Sequence, residues 1–184
     1  MPRLVLAILL LLAAAPAVAQ DVPPPTPRVD LHLGLGYTRW VGEGTESDDG
    51  RAGFVMKWGV NLTRRLGIVF DGSFGVSSGG HAVYSITAGP RIAFVNHSRV
   101  VPFGYVVAGV NHYREVTQPW PFAYEARTAA EVAAGGGLDV VISRRWAVRV
   151  LQLEGRRVLA AGNPSELLIS TGVVLRLGSV PQSK

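Results

Sequence analysis

Four histidines, His32, His81, His97 and His112, are the side chains of this chain best suited to move a proton near neutral pH. His97 is followed by Ser98, the base-and-nucleophile pairing of acyl transfer. The run His112-Tyr113-Arg114-Glu115 adds a carboxylate, with Ser77 and Ser78 as nucleophiles at a similar height. Neither group is assigned a catalytic role: the first reads as a short solvated turn and the second as a strand rim. No histidine spacing is that of a metal site. The absence of cysteine excludes thiolate catalysis, Cys-ligated metals and a disulfide framework. Gly135-Gly136-Gly137 falls inside a strand pattern, not in a strand-to-helix phosphate loop, so no cofactor is implied. Glu43, Glu46, Asp48 and Asp49 read as a solvated acidic loop tip.

What must position these residues follows from composition and period. The chain has 184 residues, enough for one domain with its own core, and only 17% are charged, which excludes disorder for most of it. The net charge is +5, and sixteen Arg stand beside two Lys. Arg is favoured over Lys where a cation is paired or half-buried. The arginines are spread singly through the chain, so the basic balance does not make a nucleic-acid patch.

Residues 1–19 combine Arg3, an apolar run from Leu4 to Ala15 and the small-residue site Ala17-Val18-Ala19, which is the form of a secretory signal peptide cleaved after Ala19. The run is shorter than the roughly 20 residues of a spanning helix. No later segment reaches that length without a Gly, Arg, Asp or Asn. A lipoprotein would need a cysteine at the cleavage site, and there is none. Residues 20–28 form a Pro-rich extended lead-in, and 179–184 a short C-terminal tail.

Between them the chain alternates with period two. Eight strands are predicted, over 29–40, 53–62, 66–77, 82–95, 100–114, 131–142, 146–157 and 166–177. Most are 10 residues or longer, near the roughly 9–11 tilted residues that cross a bilayer and above the five to six of a soluble sheet. Leu66, Ile68, Phe70, Phe74 and Val76 share one face of the third strand, and Gly67, Val69, Asp71, Ser73 and Gly75 share the other. A soluble lipocalin-like barrel would turn the apolar face inward. The glycines on the polar face argue the reverse, because side chains converge inside a narrow eight-stranded barrel. Asp30, His32, Lys57, Asp71, Arg91, Asp139, Arg149, Glu154, Arg156 and Arg176 then face the lumen as a network of ion pairs that fills it. Arg149 and Glu154 are five apart, so sharing a face requires a bulge near Val150–Leu151. Pro90 removes one ladder donor and is expected at a strand end or bulge.

Three connections, 63–65, 96–99 and 143–145, are short and basic. The others, 41–52, 78–81, 115–130 and 158–165, are generally longer. This alternation, with Gly135-Gly136-Gly137-Leu138-Asp139-Val140, Ser143-Arg144-Arg145-Trp146 and the closing Gly172-Val173-Val174-Leu175-Arg176-Leu177, resembles the small eight-stranded outer-membrane β-barrels of the OmpA-like and opacity-like group. The resemblance covers residues 29–178. It implies an all-β, antiparallel up-and-down transmembrane barrel in the outer membrane, with both termini periplasmic. It also implies a structural or surface-interaction role rather than catalysis, with outer-membrane lipids and the insertion machinery as partners. A lipid-active barrel of the lipid A deacylase type is the alternative within the resemblance. The chain departs from the pattern in closing on Leu177-Gly178 and a tail instead of an aromatic residue. Trp120, Phe122 and Tyr124 fall in the predicted 115–130 loop, where such residues pack on the barrel mouth or join the interfacial aromatic belt, with an external contact as the alternative.

Overall fold

The computed structural model describes residues 25–41, 50–77, 82–95, 98–119, 122–159 and 165–181. The expected signal peptide, the acidic tip, Ser78, His81, His97 and Trp120 lie outside the described residues. Eight strands form: β1 (Val29–Val41), β2 (Arg51–Asn61), β3 (Leu66–Ser77), β4 (Ala82–Ala93), β5 (Val100–Pro119), β6 (Phe122–Val141), β7 (Trp146–Leu159) and β8 (Ser165–Leu177). Each pairs antiparallel with the next, and β1 pairs with β8 from Val29↔Leu177 to Val41↔Ser165, so the barrel closes without a free edge. Closure pairs the strands with one another all the way round, which is what a sheet in hydrocarbon requires.

The wall inverts a soluble protein. Leu35, Phe54, Trp58, Phe70, Tyr84, Ile86 and Val106 point outward and are exposed. One cross-strand row runs Phe54↔Phe74, Phe74↔Tyr84 and Tyr84↔His112, with the Phe74 and Tyr84 ring centroids 4.9 Å apart. Such a row matches the aromatic girdle that marks a membrane interface. Among the described residues the apolar clusters of the interior are small, one around Val69, Phe103, Tyr105, Val107 and Ala133 and another of Val141, Ala147 and Val174. Gly135 and Gly137 make room for the first: a Cβ on Gly135 would lie 2.7 Å from the Tyr105 hydroxyl, and one on Gly137 2.9 Å from the Phe103 ring.

The expected bulge is present. Pairing of β7 with β8 shifts register between Arg149 and Gln152, and pairing of β6 with β7 shifts at Leu138/Asp139. Pro90 is at neither a strand end nor a bulge. It sits within β4, where pairing with β5 lapses between Ala88 and Arg91, as the loss of its N–H requires.

The 115–130 loop is corrected. Residues 115–119 and 122–129 continue β5 and β6, pairing Val116↔Tyr124 and Pro119↔Phe122. Phe122 and Tyr124 are therefore strand residues. Pairing of β5 with β4 ends at Arg114, and of β6 with β7 at Ala130, so this stretch is a two-stranded ribbon beyond the barrel body. Pro119 closes β5 at the far end of the ribbon, where a lost donor is harmless, and does not mark the end of a loop.

The lead-in also differs from an extended arm. Arg28 N donates to Leu177 O (3.0 Å), Val180 N to Thr26 O (3.0 Å) and Asn61 Nδ2 to Pro27 O (2.9 Å). Residues 25–28 and 178–181 thus fold across the mouth of the barrel on its short-turn side. Gly178, with φ of 64°, makes the reversal that brings the tail onto the lead-in.

The outward wall predicts a one-sided tolerance. Ile86, 69% exposed near the middle of β4, faces lipid. Ile86→Arg is expected to cost about 2–4 kcal/mol when unfolding by denaturant is followed in phospholipid vesicles. A change under about 0.5 kcal/mol, the scale of an ordinary surface substitution, would place that face in water.

Candidate functional site

The interior is where the chain concentrates its chemistry. The strand parity that turns Phe54, Trp58 and Phe70 outward turns Lys57 and Asp71 inward, and the β2–β3 register sets Lys57 opposite Asp71. The β6–β7 register likewise sets Asp139 opposite Arg149. Asp30, Lys57, Asp71, Arg91, Asp139, Arg149, Glu154, Arg156 and Arg176 all lie buried in the lumen.

Two layers of pairing can be traced. In the layer nearer the ribbon, Lys57 donates to Asp71 and to Glu154 Oε2 (2.6 Å). Glu154 also accepts from Tyr105 and from Arg156 Nε. Arg156 Nη1 donates to Ser73 Oγ (2.6 Å), and its guanidinium stands 3.5 Å from Asp71 and 4.0 Å from Glu131. Glu131 accepts from Ser85 Oγ (2.7 Å) and Asn111 Nδ2 (2.8 Å). Arg51 Nη2 donates to Glu166 at 2.7 Å. A low-dielectric interior tolerates these charges because each carboxylate is met by a cation, and most by further donors as well.

The layer nearer the termini is built on Asp30 and Asp139. Arg149 grips Asp139 with two bonds, Nε to Oδ1 (2.8 Å) and Nη2 to Oδ2 (3.0 Å), and passes Nη1 to Gln152 Oε1 (2.9 Å). Arg91 Nη1 donates to Asp30 Oδ2 (2.6 Å), which also accepts from Asn61 Nδ2 (3.0 Å). Arg91 and Arg149 both lie against the Phe103 ring, 4.7 and 4.2 Å from its centroid, a cation–π arrangement suited to flat guanidinium groups. Arg176 has a different role from the others. Its Nη2 donates to Pro25 O (2.7 Å) and its Nη1 to Ser143 O (3.3 Å), so it ties the cap to the barrel mouth. Beneath the cap a cavity of about 40 Å³ is lined by Thr26, Asp30, Asn61, Arg91, Asp139 and Arg176. That is room for a few water molecules.

Strand reading missed part of this network. Arg51, Glu131 and Glu166 complete it, and with them the buried charges among the described residues are six basic and six acidic. The signal was parity. Arg51 is in phase with Lys57, Glu131 with Asp139, and Glu166 with Arg176, but all three stand at or beyond the predicted strand ends. Tyr105 and Phe103 were also missed, because large aromatics suggest the lipid side. His32 is fully enclosed, and its ring nitrogens meet no hydrogen-bond partner among the described residues. His112 Nδ1 bonds Thr128 Oγ1 at 2.8 Å across the β5–β6 pair.

A closed, even-stranded antiparallel barrel with an apolar wall and a charged interior defines a small transmembrane β-barrel. Its fold is more particularly that of the eight-stranded outer-membrane barrels. Neisserial surface protein A superposes with a TM-score of 0.68 at 13% identity, covering 81% of this chain and 97% of that one. Ail of Yersinia pestis, solved in complex with the heparin analogue sucrose octasulfate, gives 0.59 at 18% identity, covering 83% and 99%. The N-terminal β-barrel domain of Pseudomonas aeruginosa OprF gives 0.54 at 14%, covering 81% and 97%. No protein-family model matches the chain, and no curated protein matches it in sequence.

Glu154 is the most connected carboxylate, holding Lys57, Arg156 and Tyr105 together. Glu154→Ala leaves two buried cations without it and is expected to cost about 3–5 kcal/mol. Glu154→Gln, which keeps acceptor and volume, should cost less. Equal denaturation midpoints in detergent micelles for wild type and Glu154→Ala would contradict the pairing described.

Proposed function

We propose that this chain is an integral outer-membrane protein whose barrel is closed to ions by its own charge network, and whose role is structural or exercised at the cell surface through the β5–β6 ribbon. The observation that carries the reading is the inverted wall: a continuous exposed apolar surface around a charged interior is satisfied only by hydrocarbon. The expected signal peptide, cleaved after Ala19, would carry the chain out of the cytoplasm. Its partners are then outer-membrane lipids and the insertion machinery, which would have to accept a final strand ending at Leu177 with no aromatic residue.

Both ends of the barrel chain and the three short turns lie at one end of the barrel, which in this reading faces the periplasm. The ribbon formed by 115–119 and 122–129 projects from the opposite end. A two-stranded ribbon has no core of its own and is marginally stable alone, so its length is better understood as reach toward something outside. Catalysis is not part of the proposal. His112, beside the base of the ribbon, is engaged with Thr128, a hydroxyl with no carboxylate behind it in the hydrogen bonds traced.

The chain's lack of cysteine makes the orientation directly testable. Thr117→Cys in the ribbon should react with a membrane-impermeant maleimide on intact cells. Ser179→Cys, at an exposed position of the cap, should react only after the outer membrane is permeabilised. The reverse pattern would overturn the proposed orientation, and labelling of neither before lysis of the inner membrane would overturn the location.

A further inference from the structure

The lumen neutralises its own charge, so the chain's basic excess is carried elsewhere. Much of it stands on one rim. Residues 25–28, 62–66, 94–100, 142–146 and 178–181 hold six arginines, Arg28, Arg64, Arg65, Arg99, Arg144 and Arg145, and no Asp or Glu. The opposite end mixes signs, with Glu43, Glu46, Asp48, Asp49, Glu115 and Glu125 in the same stretches of sequence as Arg39, Arg114 and Arg127.

Two of the short turns are built alike. Leu62-Thr63-Arg64-Arg65-Leu66 and Ile142-Ser143-Arg144-Arg145-Trp146 match position for position as apolar, hydroxyl, Arg, Arg, apolar. Thr63 Oγ1 accepts from Arg65 N (3.2 Å) and Leu66 N (2.9 Å), and Ser143 Oγ accepts from Arg145 N (3.3 Å) and Trp146 N (3.1 Å). Leu66 O and Trp146 O each accept from the two residues that open the turn. The turn backbone is therefore satisfied without either guanidinium, and all four arginine side chains are exposed. In the closed strand order the β2–β3 and β6–β7 turns lie four strands apart, on opposite sides of the barrel. Their flanking residues Leu62, Leu66, Ile142 and Trp146 are exposed apolar side chains of the lipid-facing wall. In the transmembrane reading each arginine pair then stands just beyond the apolar wall, at the depth of the headgroups.

We propose that these two hydroxyl-Arg-Arg turns bind the phosphate groups of anionic phospholipids in the leaflet around the short-turn rim. The fork of a guanidinium matches phosphate oxygens in two-point contact, which explains Arg where Lys would serve a merely solvated turn. The apolar neighbours on each side receive the acyl chains of the same lipid. Arg28 and Arg99 add to the attraction between the two sites. This proposal rests on the transmembrane reading above.

The test uses the full folded chain in vesicles of equal phosphatidylglycerol and phosphatidylcholine with matched acyl chains. The protein is extracted in mild detergent, and the co-purifying lipid is quantified by mass spectrometry. Wild type should retain phosphatidylglycerol in preference. Arg64→Gln/Arg65→Gln and Arg144→Gln/Arg145→Gln should each lose about half of the excess, and the fourfold variant should lose about tenfold in preference. Arg157→Gln, on the outer wall near the opposite rim, should leave it unchanged. High salt during extraction of wild type should remove the preference as the variants do, so the test stands even for a variant that fails to fold. Equal retention of both lipids by wild type, or an undiminished preference in the fourfold variant, would overturn the proposal while leaving the membrane reading intact. Loss of the preference to millimolar inorganic phosphate at constant ionic strength would overturn it in favour of a free-anion site. A chain folded and monodisperse without detergent would overturn the membrane reading and this proposal with it.

Discussion

A charge enclosed in a narrow barrel must be met by an opposite charge, and the architecture of this chain is organised around that requirement. Six cations and six carboxylates are buried among the described residues, and the strand registers deliver them to one another across the lumen. Where regular alternation would have turned part of the set outward, the bulge after Arg149 restores it: Arg149, Gln152, Glu154 and Arg156 all point inward on one strand. Where the network needs aromatic surfaces for its cations to lie on, Gly137 and Gly135 vacate the space filled by Phe103, which meets Arg91 and Arg149, and by Tyr105, which meets Lys57. Loss of one member of such a set costs more than the pair contributes, because the survivor stays buried.

The two ends of the barrel follow from the same requirement. At the mouth beside the termini, Arg176 finds no carboxylate in the bonds traced and is instead satisfied by the carbonyls of Pro25 and Ser143. It thereby recruits the lead-in as a cap. With the interior balanced, other arginines gather on the short-turn rim. At the other end β5 and β6 outrun their neighbours and leave the barrel as a ribbon, the part of the molecule farthest from its constraints.

Much of this was legible in the sequence, for one reason: the period of a strand is two everywhere, and a bilayer enforces it on eight segments at once. The closed eight-strand order, the direction of both faces and the bulge near Val150–Leu151 all come from parity. What parity could not show lies where the bilayer stops enforcing it. The ribbon lies beyond the barrel body, so residues 115–129 carry no firm alternation and their prolines looked like loop boundaries. Arg51, Glu131 and Glu166 sit at or beyond the predicted strand ends, where hydropathy fades before the backbone pairing does. The cap depends on backbone carbonyls, to which the sequence gives no clue. Phe103 and Tyr105 fit inside because β6 sets Gly137 and Gly135 opposite them, a property of the register and not of either segment alone.

The resulting molecule is a closed barrel with an apolar wall, a charged interior and rims that differ from each other. Its interior is a set of mutually satisfied charges, with a cavity of about 40 Å³ at the capped mouth. The proposed function requires that this interior hold the barrel together and carry no ions. Single-channel recording of the folded full chain in planar bilayers addresses it most directly. The account predicts a silent membrane on repeated insertion, with conductance arising only when the network is broken, as in Arg149→Ala combined with Arg91→Ala. Stable, uniform conductance steps from the unaltered chain would contradict it.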